Sequence, residues 1–313
     1  MKNFLSFAVI ALFSTFCCNP VMAAGYPDRP IQLYLGFGAG GALDTMARIF
    51  AEEMSAVVGQ PVIVQNKEGG GGNLATTYLK NEKADGYTIS LIPSQSLTYN
   101  PVAMKTQFTA DDFSYLGSGV YMQEAFVCLP DKPYKTFKEM IEWAKQNNQK
   151  LKYSSVVPID IAITKAITKA TGVQLLPVPT KGGAASMTSV LGGHVDFGFS
   201  GGIHYEYVKA ERMIVLASLG AKRLAAFPNV PTIVESGYDI PIDNYYVLFV
   251  RKETPREVMD VLAKAAQKAF TSEKFVGLVD KMNLQGEYLT PEQSTAEITK
   301  AKKIMEQLQT SSN

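Results

Sequence analysis

The most constraining feature of this sequence is a strand, a glycine-rich loop and a helix that follow one another near its start. Residues 31–35 are apolar and β-rich, four of residues 36–41 are glycine, and a helical pattern begins at Asp44. Glycine lets a backbone come close to a ligand, and the helix that follows points its free N–H groups into the same space. This order of elements predicts an anion-binding site at residues 36–44.

The same order of elements recurs along the chain. Residues 61–65 predict a second strand, residues 68–73 form a second glycine loop, and a third strand at residues 87–92 ends in a polar segment. In parallel α/β sheets, ligands bind beyond the carboxyl ends of the strands, so these ends predict one shared crevice. Three central strands also end in small polar residues, at residues 154–155, 180–183 and 200–202.

The pattern changes after residue 213. A strand, a proline-rich crossing and a further strand at residues 245–250 are followed by two helices. Two α/β lobes with a late return crossing fit this order better than a single sheet. The predicted lobes are residues 24–121 together with 237–313, and residues 122–236.

The first residues have the pattern of a secretory signal peptide. Lys2 precedes an apolar run at residues 4–18, and the small-residue stretch at residues 21–23 predicts cleavage after Ala23. A transmembrane anchor is the alternative, but the run is shorter than the roughly 20 residues that span a bilayer. We therefore expect residues 1–23 to be removed and the mature protein to be periplasmic.

Composition limits the partners of the mature chain. Removing Lys2 leaves 29 basic residues against 29 acidic ones, so no charge excess favours nucleic acid or an acidic membrane surface. Cys128 would be the remaining cysteine, which excludes a disulfide within the mature chain. With 2 histidines, the sequence also offers no metal-binding spacing, so we expect neither a metal nor a cofactor.

Two short motifs suggest enzymes. Residues 198–202 match G-x-S-x-G, which would make Ser200 the nucleophile of a secreted serine hydrolase, but no histidine lies well downstream of it. Residues 36–41 match G-x-G-x-x-G, yet the next strand lacks the acidic residue that a dinucleotide-binding oxidoreductase needs. Both functions stay alternatives, and we expect no catalytic residues.

Across the mature length, the chain resembles the substrate-binding proteins of tripartite tricarboxylate transporters, the Bug family of periplasmic solute-binding proteins. The order of the matching segments is more specific than any one of them. The segments are residues 40–44 (GGALD), 59–62 (GQPV), 71–73 (GGN), 84–88 (ADGYT), 181–183 (KGG), 191–196 (LGGHVD) and 227–232 (FPNVPT).

The resemblance implies a two-lobed, type II-like Venus-flytrap α/β fold with a ligand cleft between the lobes. It also implies that the protein captures a small organic acid, a carboxylate, and delivers it to the membrane permease of a tripartite transporter or to a sensor. We expect a monomer. The ligand-binding residues that it suggests are Phe37, Gly38, Ala39, Gly40, Gly41, Asp44, Ser94, Gln95, Ser154, Ser155, Thr180, Lys181, Gly182, Ser200, Gly201 and Tyr245.

Four charged residues near the predicted site need an interpretation, and for two of them the sequence leaves two roles open. Asp44 either stabilises the start of its helix or accepts a hydrogen bond from the ligand. Arg48, one turn later, is expected to pair with a carboxylate of the same helix or lobe. Lys181 is either a solvated loop charge or a counter-ion at the cleft edge. Residues 154–160 stand where relatives usually have a glycine- and serine-rich turn, and they add Asp160, which would repel a second ligand carboxylate if it faced the cleft.

Overall fold

The strands form two separate β-sheets. The computed structural model describes residues 25–282 and 284–312, so the predicted signal peptide at residues 1–23 lies outside the described residues. The strands are β1 Ile31–Leu35, β2 Val62–Asn66, β3 Thr88–Pro93, β4 Phe113–Tyr121, β5 Ala125–Cys128, β6 Leu151–Ser155, β7 Leu175–Pro179, β8 Phe197–Ser200, β9 Ile214–Ser218, β10 Tyr245–Arg251 and β11 Gln285–Leu289.

Helices connect these strands and cover the sheets. In the described part of the chain, no helix has both the length and the hydropathy that crossing a bilayer requires. The α-helices are α1 Ala42–Val58, α2 Asn73–Asn81, α3 Gln95–Thr98, α4 Asn100–Ala103, α5 Phe137–Gln146, α6 Pro158–Thr171, α7 Gly183–Leu191, α8 Tyr205–Lys209, α9 Arg256–Phe270, α10 Glu273–Lys281 and α11 Pro291–Ser312.

The first sheet has six strands in the order β11-β4-β10-β3-β1-β2. β1 pairs in parallel with β2 and β3, and Leu33 lies opposite both Val64 and Ile89. β10 returns from late in the chain and pairs antiparallel with β3 and β4. The carboxyl ends of β1 and β3 therefore meet the beginning of β10 at one edge of the sheet.

The second sheet has five strands in the order β7-β6-β8-β5-β9. β6 pairs in parallel with β7 and β8, whereas β5 is antiparallel to β8 and β9. The carboxyl ends of β6, β7 and β8 consequently share one edge, as the strand-end loops predict.

Each sheet has its own apolar core. On α1, Met46, Phe50 and Met54 recur every four residues and are buried, so one stripe of the helix packs onto the first sheet. Phe50 also contacts Phe270 of α9, with ring centroids 4.3 Å apart. In the second sheet, Phe126 packs at the centre of a cluster that is separate from the first.

The chain crosses between the sheets at residues 122–124 and again at residues 219–244. The crossings lie side by side, because the N–H of Met122 donates to the carbonyl of Asn244 at 2.8 Å and that of Leu219 to Glu124 at 2.9 Å. Helix α11 also reaches both sheets: Ile298 packs in a core cluster of the first sheet and Met305 in that of the second. The two crossings are therefore the connections about which the two sheets could move relative to each other.

The sequence patterns predict neither β4 nor the α10–β11 unit. Gly117 and Gly119 make β4 resemble a loop, but the packing requires both. A Cβ on Gly119 would lie 1.9 Å from Cδ1 of Phe270, and Gly117 has a φ of +136°. Gly119 therefore lets α9 lie close to the sheet, and Gly117 has a backbone conformation that favours glycine, so β4 lacks a recognisable strand pattern.

Candidate functional site

A cavity of about 440 Å³ lies between the two sheets, where their strand-end loops face each other. Its size is that of a small-molecule site. A larger groove, of about 680 Å³, is lined by α9, α11 and part of β4, away from these loops. The cavity is lined by Phe37, Gly38, Gly41, Ala42, Leu43, Asp44, Pro93, Gln95, Met122, Glu124, Val156, Val157, Gly183, Phe199, Gly201, Ile203 and Tyr246.

Helix α1 begins at this cavity without a side-chain cap. Gly41 is its N-cap residue, and no side chain caps this end among the residues that the structure describes. The first N–H groups of an α-helix have no partner inside the helix. Ala42 and Leu43, which carry two of these groups, line the cavity. The predicted anion-binding loop therefore opens into the space between the sheets.

Asp44 holds this loop in shape. Its carboxylate accepts hydrogen bonds from the N–H of Gly40 at 2.9 Å, from Nδ2 of Asn66 at 3.0 Å and from Nε and Nη2 of Arg48 at 3.0 and 2.9 Å. The bonds from Arg48 lower the pKa of Asp44 to about 2, against the opposing effect of burial. Asn66 also donates to the carbonyl of Phe37 at 2.9 Å. Both Asp44 oxygens are thus used within the protein, and the expected pairing of Arg48 on the same helix is confirmed.

The second glycine loop lies behind the first rather than on the cavity wall. A Cβ on Gly36 would lie 2.3 Å from the Cα of Gly72, so the two backbones are in direct contact. Ser96 and Asn100 hold the second loop through its carbonyl groups, at 2.7 and 3.1 Å from the oxygen of Gly71.

Helix α7 brings a second uncapped start to the cavity, from the opposite sheet. Gly182 is its N-cap residue and Gly183, its first residue, lines the cavity; none of the described side chains caps this end. α1 and α7 are 17 and 9 residues long. The positive ends of two helix dipoles therefore face one space from two lobes.

Asp160 lies in the first turn of α6 and accepts hydrogen bonds at the start of that helix. It is fully buried and accepts hydrogen bonds from the N–H groups of Val156 at 2.7 Å and Val157 at 3.0 Å, and from Oγ of Ser155 at 2.6 Å. Burial raises the pKa of Asp160. Asp160 does not line the cavity, so it would not contact a second ligand carboxylate directly.

Glu124 is a cavity residue that the sequence patterns do not single out. It lies in the first crossing and is only 2% exposed, and its Oε1 accepts a hydrogen bond from Nδ2 of Asn244 at 3.1 Å. Oε2 has no partner among the described residues. Burial raises the pKa of Glu124 to about 7, and the nearby charges of Asp160 and Asp243 act in the same direction. The sequence signal that could have identified Glu124 is its place as an acidic residue directly before the first apolar strand of the second sheet.

Asn244, in the second crossing, connects Glu124 to the end of β3. Its Oδ1 accepts from Oγ of Ser94 at 2.9 Å and from the N–H of Gln95 at 3.2 Å. Tyr245, the next residue, donates its N–H to Oγ of Ser94 at 3.1 Å. The two crossings and one cavity loop therefore share a hydrogen-bond network.

The predicted ligand-binding residues divide into two groups. Six of them line the cavity: Phe37, Gly38, Gly41, Asp44, Gln95 and Gly201. The others do not line it, and ligand contact by them stays a prediction: Ala39, Gly40, Ser94, Ser154, Ser155, Thr180, Lys181, Gly182, Ser200 and Tyr245.

Several residues of the second group make hydrogen bonds or ring contacts inside the protein. Ser154 shares a hydrogen bond with Ser186 at 2.6 Å, and Oγ1 of Thr180 donates to the carbonyl of Ser155 at 2.8 Å. The ring of Tyr245 packs on Tyr121, with centroids 5.1 Å apart. The neighbouring Tyr246 is the tyrosine that faces the cavity.

Ser200 is closer to a histidine than the sequence suggests. Nδ1 of His204 lies 2.9 Å from its Oγ, because the turn after β8 brings the two side chains together. Both residues are fully buried, and Nε2 of His204 has no hydrogen-bond partner in the described chain. Burial lowers the pKa of His204 to about 4. In the part of the chain that the structure describes, no carboxylate orients the histidine of this pair, and neither residue lines the cavity.

The chain matches a known family over most of its length. A family model described as the tripartite tricarboxylate transporter family receptor, TctC, matches residues 46–309. The chain belongs to this family. The resemblance read from the sequence is therefore confirmed.

Relatives of this TctC-family receptor match over most of their length. The UPF0065 protein in the gbd 5'region of Cupriavidus necator is 32% identical over 295 residues, which cover 90% of this chain and 88% of that protein. The crystal structure of a TctC solute-binding protein from Polaromonas is similar with a TM-score of 0.80 and 29% identity, covering 90% of this chain and 98% of that one. The periplasmic binding protein BugD has a TM-score of 0.70 and 27% identity, over 91% and 98% of the two chains. The two-lobed periplasmic-binding fold is thus confirmed.

Proposed function

We propose that this TctC-family receptor is an exported, non-catalytic protein that captures a small organic acid between its lobes. It then delivers the acid to the membrane subunits of a tripartite transporter. The observation that carries the proposal is the pair of uncapped helix starts, α1 and α7, that border one cavity from opposite sheets. Family membership supports the same function.

A carboxylate is the ligand group that suits these helix starts. Its oxygens accept hydrogen bonds from free N–H groups, and each helix end favours an anion by about 0.3–2 kcal/mol. No lysine or arginine of the described chain lines the cavity, so backbone donors would bind the carboxylate in place of an arginine clamp. Such hydrogen bonds become stronger where closure of the lobes excludes water.

Closure would take place about the paired crossings at residues 122–124 and 219–244. We propose that the units that move are the predicted lobes, residues 24–121 with 237–313 and residues 122–236. A lobe closure of this kind buries the ligand and changes the outer surface that a permease or a sensor contacts. We propose that the receptor acts in this way as a monomer.

Two glycine substitutions test the binding site. Gly41 has a φ of −77°, and a Cβ there would come no nearer to the protein than 3.5 Å; a Cβ on Gly201 would meet nothing within 4 Å. Gly41→Ala and Gly201→Ala therefore add a methyl group at the cavity wall without a clash. Gly277→Ala on α10 is the matched control, because a Cβ there also meets nothing within 4 Å.

Isothermal titration calorimetry with a panel of small mono- and dicarboxylic acids gives the readout. We expect at least one acid to bind, and each cavity variant to weaken it by about tenfold, or about 1.4 kcal/mol. Gly277→Ala should bind as the wild type does. The proposal fails if no acid of the panel binds, or if both cavity variants keep full affinity.

A further inference from the structure

The cavity contains one carboxyl group, that of Glu124, whose charge no described residue neutralises. Asp44 also lines it, but Arg48 and two further donors occupy the oxygens of Asp44. Glu124 receives a single hydrogen bond, at Oε1, and its buried Oε2 receives none from the described residues. An ionised oxygen that is buried without a partner is strongly unfavourable.

Among the described residues, the charged groups that act on Glu124 are negative. Asp160 from α6 and Asp243 from the second crossing both act on it as negative charges. Tyr246 on β10 and Tyr121 on β4 lie near enough for Glu124 to raise their pKa values. Two basic residues of this region are already paired: Lys300 with Asp243 at 3.1 Å, and Lys222, which lies over the ring of Tyr121, with Glu287.

A second acceptor lies on the same cavity. Oε1 of Gln95 is buried and without a partner in the described chain, and Gln95 lines the cavity with Glu124. The N–H of Gln95 donates to Oδ1 of Asn244, whose amide group bonds to Glu124, so the two acceptors belong to one connected part of the wall. A ligand group with several hydrogens could donate to both.

We propose that Glu124 accepts a hydrogen bond from an ammonium group of the ligand, so that the receptor takes a small amino acid-like zwitterion. This inference rests on the proposed function: the helix starts of α1 and α7 bind the carboxylate, and Glu124 with Gln95 binds the ammonium group. The ligand thereby supplies the cation that the cavity lacks. A charge-assisted N–H···O⁻ bond of this kind is about twice as strong as a neutral one.

The opposite arrangement makes a different prediction. A protonated Glu124 could donate its Oε2 hydrogen to a second ligand carboxylate, because burial raises its pKa to about 7. Ammonium binding would instead favour the ionised carboxylate and release a proton. The direction of proton transfer on binding therefore separates the two arrangements.

Matched ligand pairs provide the test. Each ammonium-bearing acid is compared with the analogue that lacks the ammonium group: aspartate with succinate, glutamate with glutarate, and 4-aminobutyrate with butyrate. For at least one pair, we expect the ammonium-bearing acid to bind about tenfold more tightly or better. Glu124→Gln should remove most of that preference, whereas Glu257→Gln, the same change on the exposed surface of α9, should keep it.

Proton release checks the same point on the wild-type protein, even if Glu124→Gln fails to fold. Calorimetry near pH 7, in buffers with different ionisation enthalpies, should show release of about half a proton per ammonium ligand bound. The inference is overturned, and the proposed function is not, if the analogues without ammonium bind more tightly, if binding takes up protons, or if Glu124→Gln keeps the preference. If neither class of acid binds, the proposed function fails with it.

Discussion

Glu124 should make the unliganded protein less stable as the pH rises. Burial raises its pKa in the folded protein to about 7, from a usual value of 4.5. Below pH 4.5 the group is protonated in both states, and its full contribution to stability is present. Between the two pKa values only the folded state keeps the proton, so each pH unit removes about 1.4 kcal/mol from the free energy of unfolding. The loss reaches roughly 3 kcal/mol slightly above pH 7.

His204 opposes this effect in the wild-type protein. Burial lowers its pKa to about 4, from 6.5, so it stays neutral in the folded state while the unfolded chain binds a proton. Its contribution to stability is present above pH 6.5 and is lost as the pH falls towards 4. The two residues therefore partly cancel, and the contribution of Glu124 must be measured as a difference between proteins.

Urea denaturation of wild type and Glu124→Gln, between about pH 4.5 and about pH 7.5, isolates that difference. We expect the stability of the variant relative to wild type to rise by roughly 3 kcal/mol across this interval. Glu257→Gln should follow the wild type. Parallel curves for wild type and Glu124→Gln would refute the reasoning, because they would mean that Glu124 has the same pKa in the folded and unfolded states.

Two further substitutions test the glycine loops, each measured by chemical denaturation. Asp44→Asn should lower the free energy of unfolding by about 1–3 kcal/mol, because it removes a buried, charged hydrogen-bond acceptor. Asp260→Asn, in an exposed Arg–Asp pair on α9, should change it by less than about 0.5 kcal/mol, and equal effects would contradict the role of Asp44. Gly36→Ala should destabilise by about 1–3 kcal/mol or more, since the added methyl meets the backbone of Gly72. A Gly36→Ala variant as stable as Gly277→Ala would show that the two loops do not pack backbone to backbone.

The sequence predicts the architecture better than it predicts the site. Strands that end in glycine or small polar residues leave a local pattern, so the loop at Gly41 and the turn at Gly201 are both found on the cavity. The paired crossings and the missed strand β4 depend on contacts between distant parts of the chain. Gly119, for example, is explained by Phe270, which is far from it in sequence.

The sequence is equally limited in predicting which polar side chains face the cavity. Ser154, Ser155 and Ser200 occupy the expected strand ends, but each hydroxyl bonds to a neighbour inside its own lobe. Residue type alone cannot tell such a serine from one that faces a ligand. Glu124 was missed for the opposite reason: beside an apolar strand it resembles a strand terminus, and its unpartnered oxygen is a property of the tertiary structure.

The most direct test of the central claim is a crystal structure of the receptor with the acid that binds most tightly in the calorimetric panel. We predict a ligand carboxylate between the lobes, with its oxygens within about 3 Å of the N–H groups at the start of α1. The N–H groups at the start of α7 should approach the same ligand from the opposite lobe. A ligand bound in the groove between α9 and α11, or a carboxylate that contacts neither helix start, would contradict the account.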